Sequence, residues 1–170
     1  MLKKQWVFRE VDLAQRRALV QALSISPIIA SVLLLRGVVT TEQARYWLAP
    51  QAASLHNPFQ LSDMECAIDR LHRAVTTGER ICFYGDYDVD GIAATSLYLT
   101  FFRSVGGNAV SYIPHRIHEG YGLNMQAIRQ LRQEGVGLLV TSDCGTTAFR
   151  EVELANSLGL DVIITDHHQV

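Results

Sequence analysis

The sequence predicts an α/β fold, a parallel β-sheet flanked by helices and preceded by a small helical N-terminal segment. Three observations predict it. Four short apolar runs, at 80–84, 109–113, 137–141 and 161–165, have the length and continuity of strands buried on both faces. Helix-like stretches at 91–104, 124–133 and 146–158 separate them, each followed closely by glycine. Regular alternation of this kind implies right-handed crossovers with helices on both sides of the sheet.

Taken in order, residues 1–60 form the helical segment, with helices expected at 12–23, at 27–36 ending before Gly37, and at 41–49 closed by Pro50. Residues 55–59, with Pro58, read as a connector. Residues 61–170 form the α/β domain. Ser62 and Glu65 have capping-box spacing and open a helix to about Thr76, with Ala67, Ile68, Leu71 and Val75 on one face. Gly78 ends it, and the strand–helix alternation begins. Asn124 caps the helix at 124–133. The last run, at 161–165, has no helix after it, so the domain is expected to be incomplete at its C-terminus.

With 48% hydrophobic and 19% charged residues, the 170-residue chain has enough apolar material for a core, which excludes a disordered chain. The start, Met1-Leu2-Lys3-Lys4-Gln5-Trp6, lacks the apolar region of a signal peptide, and stretches such as 28–35 are too short to span a bilayer. No membrane partner is expected. Cys66, Cys82 and Cys144 are odd in number and scattered, as suits free thiols in a reducing, cytoplasmic setting. Net charge is −2, but residues 1–60 carry +4 and the remainder −6. The basic segment suits either a surface facing a polyanion or an ordinary solvated helix face.

Polar clusters follow the four runs. Asp86, Asp88 and Asp90 alternate after the first, and in an extended segment three such carboxylates point the same way. Hard cations such as Mg²⁺ and Mn²⁺ prefer that oxygen set. An EF-hand loop is excluded because its twelfth position would be Leu97. Asp88-Val89-Asp90-Gly91 also resembles the nucleophile loop of haloacid-dehalogenase-type phosphatases, in which Asp88 would become a phospho-aspartate. A helix-capping turn accounts for one Asp but not for three. Gly91 is expected to let the backbone turn sharply into the helix.

Asp143 follows the third run, and either caps a helix beginning near Thr146 or bridges two ions from an adjacent strand. Asp166-His167-His168 follows the fourth run. Adjacent histidines in an extended segment point to opposite sides, which divides the work: His167 as metal ligand, His168 facing a phosphate, Asp166 holding an imidazole. In the loop after the second run, Arg116 suits phosphate recognition, Gly120 and Gly122 permit a tight backbone, and Tyr121 either stacks on a base or simply packs. His115 and His118 follow the same run, and His118 and Tyr121 fit an ordinary surface loop equally well. Carboxylates and histidines converging without matching cations would repel one another unless a metal neutralised them.

Tyr84-Gly85-Asp86-Tyr87-Asp88-Val89-Asp90-Gly91, Gly120-Tyr121-Gly122-Leu123, Asp143-Cys144-Gly145 and Asp166-His167-His168 together resemble the DHH phosphoesterase superfamily. Within it they resemble the bacterial exonucleases specific for single-stranded DNA. Trp6 with Arg9-Glu10, Ser26-Pro27, Arg36-Gly37 and the 55–59 stretch extend the likeness through the N-terminus. The resemblance implies a parallel-sheet α/β domain and two Mn²⁺ or Mg²⁺ ions, with no organic cofactor. It implies Asp88, Asp90, Asp143 and His167 as metal ligands and Asp86 as a supporting acid. His168, with Asp143 and Asp166, would be catalytic, and Arg116, Tyr121 and His168 would bind substrate. It implies 5′-to-3′ degradation of single-stranded DNA in recombination and repair, alongside other repair proteins. Two departures stand out. Tyr84 occupies a position where some relatives carry a metal-binding His, and the family's fourth motif lies beyond residue 170. The chain alone is therefore expected to bind metal weakly and to be inactive or nearly so. The alternatives are a DHH-type phosphodiesterase or pyrophosphatase on a small substrate, the haloacid-dehalogenase-type phosphatase, and a non-catalytic DNA-binding scaffold.

Overall fold

The computed structural model describes residues 7, 9–51 and 55–169, so Lys3, Lys4 and Trp6 lie outside the described residues. Two compact units are present, Met1–Gln60 and Leu61–Val170. In the first, α1 (Leu13–Leu23), α2 (Pro27–Leu35) and α3 (Thr41–Leu48) close around Leu19, Ala30, Leu33, Val38 and Ala44. Each start is chemically marked. Asp12 and Ser26 accept N-terminal amides, and Thr40 and Gln43 form a reciprocal capping box. Pro58–Gln60 is a single 3-10 turn.

The second unit opens with α4 (Met64–Thr77). The Ser62/Glu65 capping box does not form. Asp63, at φ 59, occupies the cap position without a side-chain hydrogen bond, which puts Glu65 one residue short of the register the box requires. Ala74 is the buried residue of this helix, with Leu71 and Val75 packed beside it, whereas Ile68 is exposed.

Then come β1 (Arg80–Gly85), α5 (Val89–Ser104), β2 (Ala109–Tyr112), α6 (Met125–Gln133), β3 (Val136–Ser142), α7 (Phe149–Ser157) and β4 (Asp161–Ile163). All strand pairs are parallel, in the order β2-β1-β3-β4. Alternate strand residues feed two cores. Ile81, Phe83, Leu138 and Val140 pack with Ala74 and Phe102, of α4 and α5. Cys82, Tyr84 and Leu139 pack with Ile128, Leu131 and Ala155, of α6 and α7. The chain leaves β1 towards β2 on one side, then returns past it to β3 on the other. The crevice between β1 and β3 is therefore the topological switch point, where open α/β sheets bind ligands.

Arg70 fixes the opposite end of the sheet. Its guanidinium donates to both carboxylate oxygens of Glu79, at 2.7 and 2.8 Å, and to Asp161 at 2.6 Å. Those hydrogen bonds hold the Glu79 carboxyl below its ordinary value of 4.5, against the upward push of burial. A depressed carboxyl stabilises the fold above its unfolded value and loses that contribution as pH falls through the folded one. The urea midpoint of the chain is accordingly expected to drop more steeply below pH 4.5 than that of Glu79→Gln.

Candidate metal centre

Register builds the centre. Gly85 pairs with Ser142 at the ends of β1 and β3, so Asp86 and Asp143 leave the sheet side by side. Two groups of donor atoms result, each with its atoms within 4.8 Å of one another: Asp86, Asp88 and Asp143, and Asp143, His167 and His168. Asp143 belongs to both.

Asp86 is 1% exposed, and its Oδ1 has no hydrogen-bond partner. Burial raises its pKa, backbone amides of Tyr87 and Asp88 oppose the rise, and the Asp88 and Asp143 charges add to it. A buried carboxylate with an unpartnered oxygen, beside two further carboxylates, fits a cation. The donor set of carboxylate oxygens and imidazole nitrogens suits Mn²⁺, with its tolerance of nitrogen, and the oxygen group alone suits Mg²⁺.

Helix α5 begins at Val89, two residues earlier than the sequence suggested. Asp88 is its N-cap, with Oδ1 accepting from the amides of Asp90 and Gly91 at 2.9 and 3.3 Å. The extended alternation of three carboxylates therefore breaks after Asp88. Asp90 sits exposed in the first turn, outside both donor groups. Gly91 is helical, and its φ is not positive. Its role is close approach rather than a sharp turn: a Cβ there would stand 2.5 Å from the Asp86 nitrogen.

Asp143 does not cap a helix. It takes a left-handed conformation, φ 64, and Oδ1 meets His167 Nε2 at 2.8 Å. Helix α7 starts only at Phe149, which leaves the Thr146 amide and hydroxyl free to donate to Asp166 Oδ2, at 3.0 and 2.7 Å. Asp166 Oδ1 in turn meets His168 Nδ1 at 2.7 Å. Burial pushes the Asp166 carboxyl up, yet the bonds from Thr146 and His168 hold it well below the usual carboxylate range. The bond to Asp166 raises the His168 imidazole, as do the charges of Asp166, Asp143 and Asp88. Because β4 ends at Ile163, the two histidines are not in a strand. Their rings lie 4.6 Å apart at one centre rather than on opposite sides.

The β2–α6 loop lines the same crevice. Tyr121 donates to the Asp143 carbonyl at 3.0 Å and stands edge-on to Tyr87 and His168. Arg116 lies over the Tyr87 ring, 5.3 Å from its centroid. His115 and His118 stack on each other and join neither donor group. Tyr84 is fully buried on the α6 side, with its hydroxyl donating to the Gly122 carbonyl at 2.9 Å, so that position supplies no donor atom to the centre. Sequence reasoning missed Glu119, Asn124 as a loop anchor, and Thr146. Only the capping propensity of Asn124 carried a signal. Burial pushes the Tyr112 phenol up to about 12, and hydrogen bonds from Tyr112 and the His115 amide hold Glu119 low, so Tyr112 is the donor between them.

An open α/β domain with oxygen and imidazole donors gathered at its switch point has the layout of a divalent-metal hydrolase. The family model described as DHH family, N-terminal domain, matches residues 80–170, and the chain belongs to that family. It is 41% identical over 167 residues to the single-stranded-DNA-specific exonuclease RecJ of Bacillus subtilis, covering 98% of this chain and 21% of that protein. RecJ of Thermus thermophilus is 35% identical over 156 residues, covering 92% of this chain and 22% of that one. The crystal structure of Thermus thermophilus RecJ in complex with Mn²⁺ superposes with a TM-score of 0.67 at 30% identity, covering 94% of this chain and 22% of that chain. This chain thus spans about a fifth of the length of these relatives. Among the described residues no helix is long and apolar enough to cross a membrane.

Proposed function

We propose that this chain supplies the first part of the catalytic core of a metal-dependent exonuclease that hydrolyses phosphodiester bonds of single-stranded DNA, 5′ to 3′, in recombination and repair. The observation that carries the reading is Asp143, one carboxylate shared by two donor groups beside the buried, unpartnered Asp86 oxygen. The RecJ relatives supply the substrate class, single-stranded DNA. Residues 61–170 act as the DHH domain and 1–60 as a helical segment before it. The free thiols of Cys66, Cys82 and Cys144 suit a cytoplasmic setting.

In this reading Asp86, Asp88, Asp143 and His167 would hold Mn²⁺ or Mg²⁺, and Asp90, which lies outside both donor groups, would not. Bound there, such ions supply Lewis acidity and lower the pKa of water. The remaining work belongs to the chain. Asp166, fixed by Thr146, orients His168, whose imidazole would donate to the scissile phosphate and stabilise charge gathering on its oxygens. Arg116 and Tyr121 line the crevice where the strand is gripped. The Asp88 carboxylate already caps α5, and membership of the DHH family sets aside the phospho-aspartate alternative.

Calorimetric titration of the 170-residue chain with Mn²⁺ tests the centre, with weak but saturable binding expected. With 5′-phosphorylated single strands the chain should show little turnover, while a longer protein containing it should degrade long strands in preference to dinucleotides. The reverse preference would point to a small-substrate phosphodiesterase, and robust processive cleavage by the chain alone would overturn the view that it is a partial core.

A further inference from the structure

We propose that Tyr121 and Glu119 are positioning residues that hold the Asp143 backbone in its left-handed conformation and so aim the carboxylate common to both donor groups. The inference rests on the metal-centre reading above. A non-glycine residue at φ 64 is held against a small intrinsic preference, so something must fix it. Both sides of Asp143 are tied. Its amide donates to the Thr165 carbonyl at 3.0 Å, and its own carbonyl accepts from the Tyr121 hydroxyl at 3.0 Å. The first tie belongs to the chain after β4, the second to the β2–α6 loop.

Tyr121 is half exposed, so water competes for its hydroxyl unless the loop is anchored. Anchors stand on both sides of it. Glu119 accepts from the Tyr112 hydroxyl, from the His115 amide at 2.7 Å and from Asn124 Nδ2 at 3.1 Å. The Gly122 carbonyl accepts from the buried Tyr84 hydroxyl, which Asn124 also meets at 3.2 Å. Gly120 and Gly122, at φ 81 and 75, let the chain turn between these anchors. Glu119 is in neither donor group and touches the loop that carries Tyr121, so the loop is its route to the centre.

Tyr121→Phe separates this role from ring packing, because it keeps the ring contacts with Tyr87 and His168 and removes the hydroxyl, with its 3.0 Å bond to the Asp143 carbonyl and its longer one, 3.5 Å, to His168 Nδ1. In the metal-free 170-residue chain, amide hydrogen exchange at Asp143, followed by NMR, should become about tenfold faster. Mn²⁺ affinity should fall about tenfold, the worth of one well-made hydrogen bond. Glu119→Gln should weaken Mn²⁺ binding in the wild-type background and add little on top of Tyr121→Phe, as expected of residues acting in series. Unchanged exchange, unchanged affinity or fully additive losses in the double variant would each overturn the inference. A wild-type chain that takes up no Mn²⁺ would instead sink the metal-centre reading, and the aiming role with it, while the exchange result would still show whether Tyr121 clamps Asp143.

Discussion

Asp143→Asn is expected to weaken Mn²⁺ binding at least about 100-fold and to abolish turnover in the longer protein, while making the metal-free chain more stable. The first effect follows from sharing: removing this one charge damages both donor groups at once. The second follows from the charges left behind. Asp86, Asp88 and Asp143 crowd together, and among the described residues the ion-pair partners of Asp143 are His167 and His168 alone. Relief of that repulsion should contribute about 1 kcal/mol. Asn tolerates the left-handed backbone as Asp does and keeps an acceptor for His167, so the change isolates the charge. Mn²⁺ calorimetry and urea denaturation in chelator read the two effects separately. Undiminished Mn²⁺ affinity would mean that the ions sit elsewhere.

Gly91→Ala should destabilise the second unit by about 3 kcal/mol, with loss of the metal centre. An added Cβ would meet the nitrogen, oxygen and Cα of Asp86 at 2.5, 2.6 and 2.8 Å. These are backbone atoms of a buried residue between β1 and α5, and they cannot swing aside. The only relief is to lift the helix start away from the strand end, which would carry Asp88 out of its group. Gly120→Ala offers the contrast. Its Cβ would meet nothing within 4 Å, and only the strain of φ 81 remains, about 1 kcal/mol. Urea midpoints for the pair provide the check. A loss at Gly91 no larger than at Gly120 would show that α5 is not seated on Asp86.

Strand identity was plain in the sequence because Ile81–Tyr84 and Leu138–Thr141 are buried on both faces and leave continuous apolar runs. Parallel strands deliver their C-terminal loops to one edge, which brings Asp86, Asp143 and His167 together, whereas His168 was expected to face away from His167. What did not follow was set by helix capping and by tertiary contacts. Asp88 spends its carboxylate on two amides and starts the helix early, so local capping overrode the alternating pattern and turned Asp90 away. Thr146 was expected to open a helix, but Asp166, twenty residues on, claims both its donors. Glu119 was invisible because its three donors converge only after Tyr112 and Asn124 are brought together. No local pattern announces such a meeting.

The pairing of β1 with β3 has a kinetic consequence. Asp86 and Asp143 are neighbours in space but separated in the chain by an entire crossover through β2, so neither stretch alone assembles the shared centre. The electrostatic penalty arises only when a long loop closes and the central ladder zips. A cation that requires the finished pair therefore acts mainly as a brake on unfolding and does little to hasten folding.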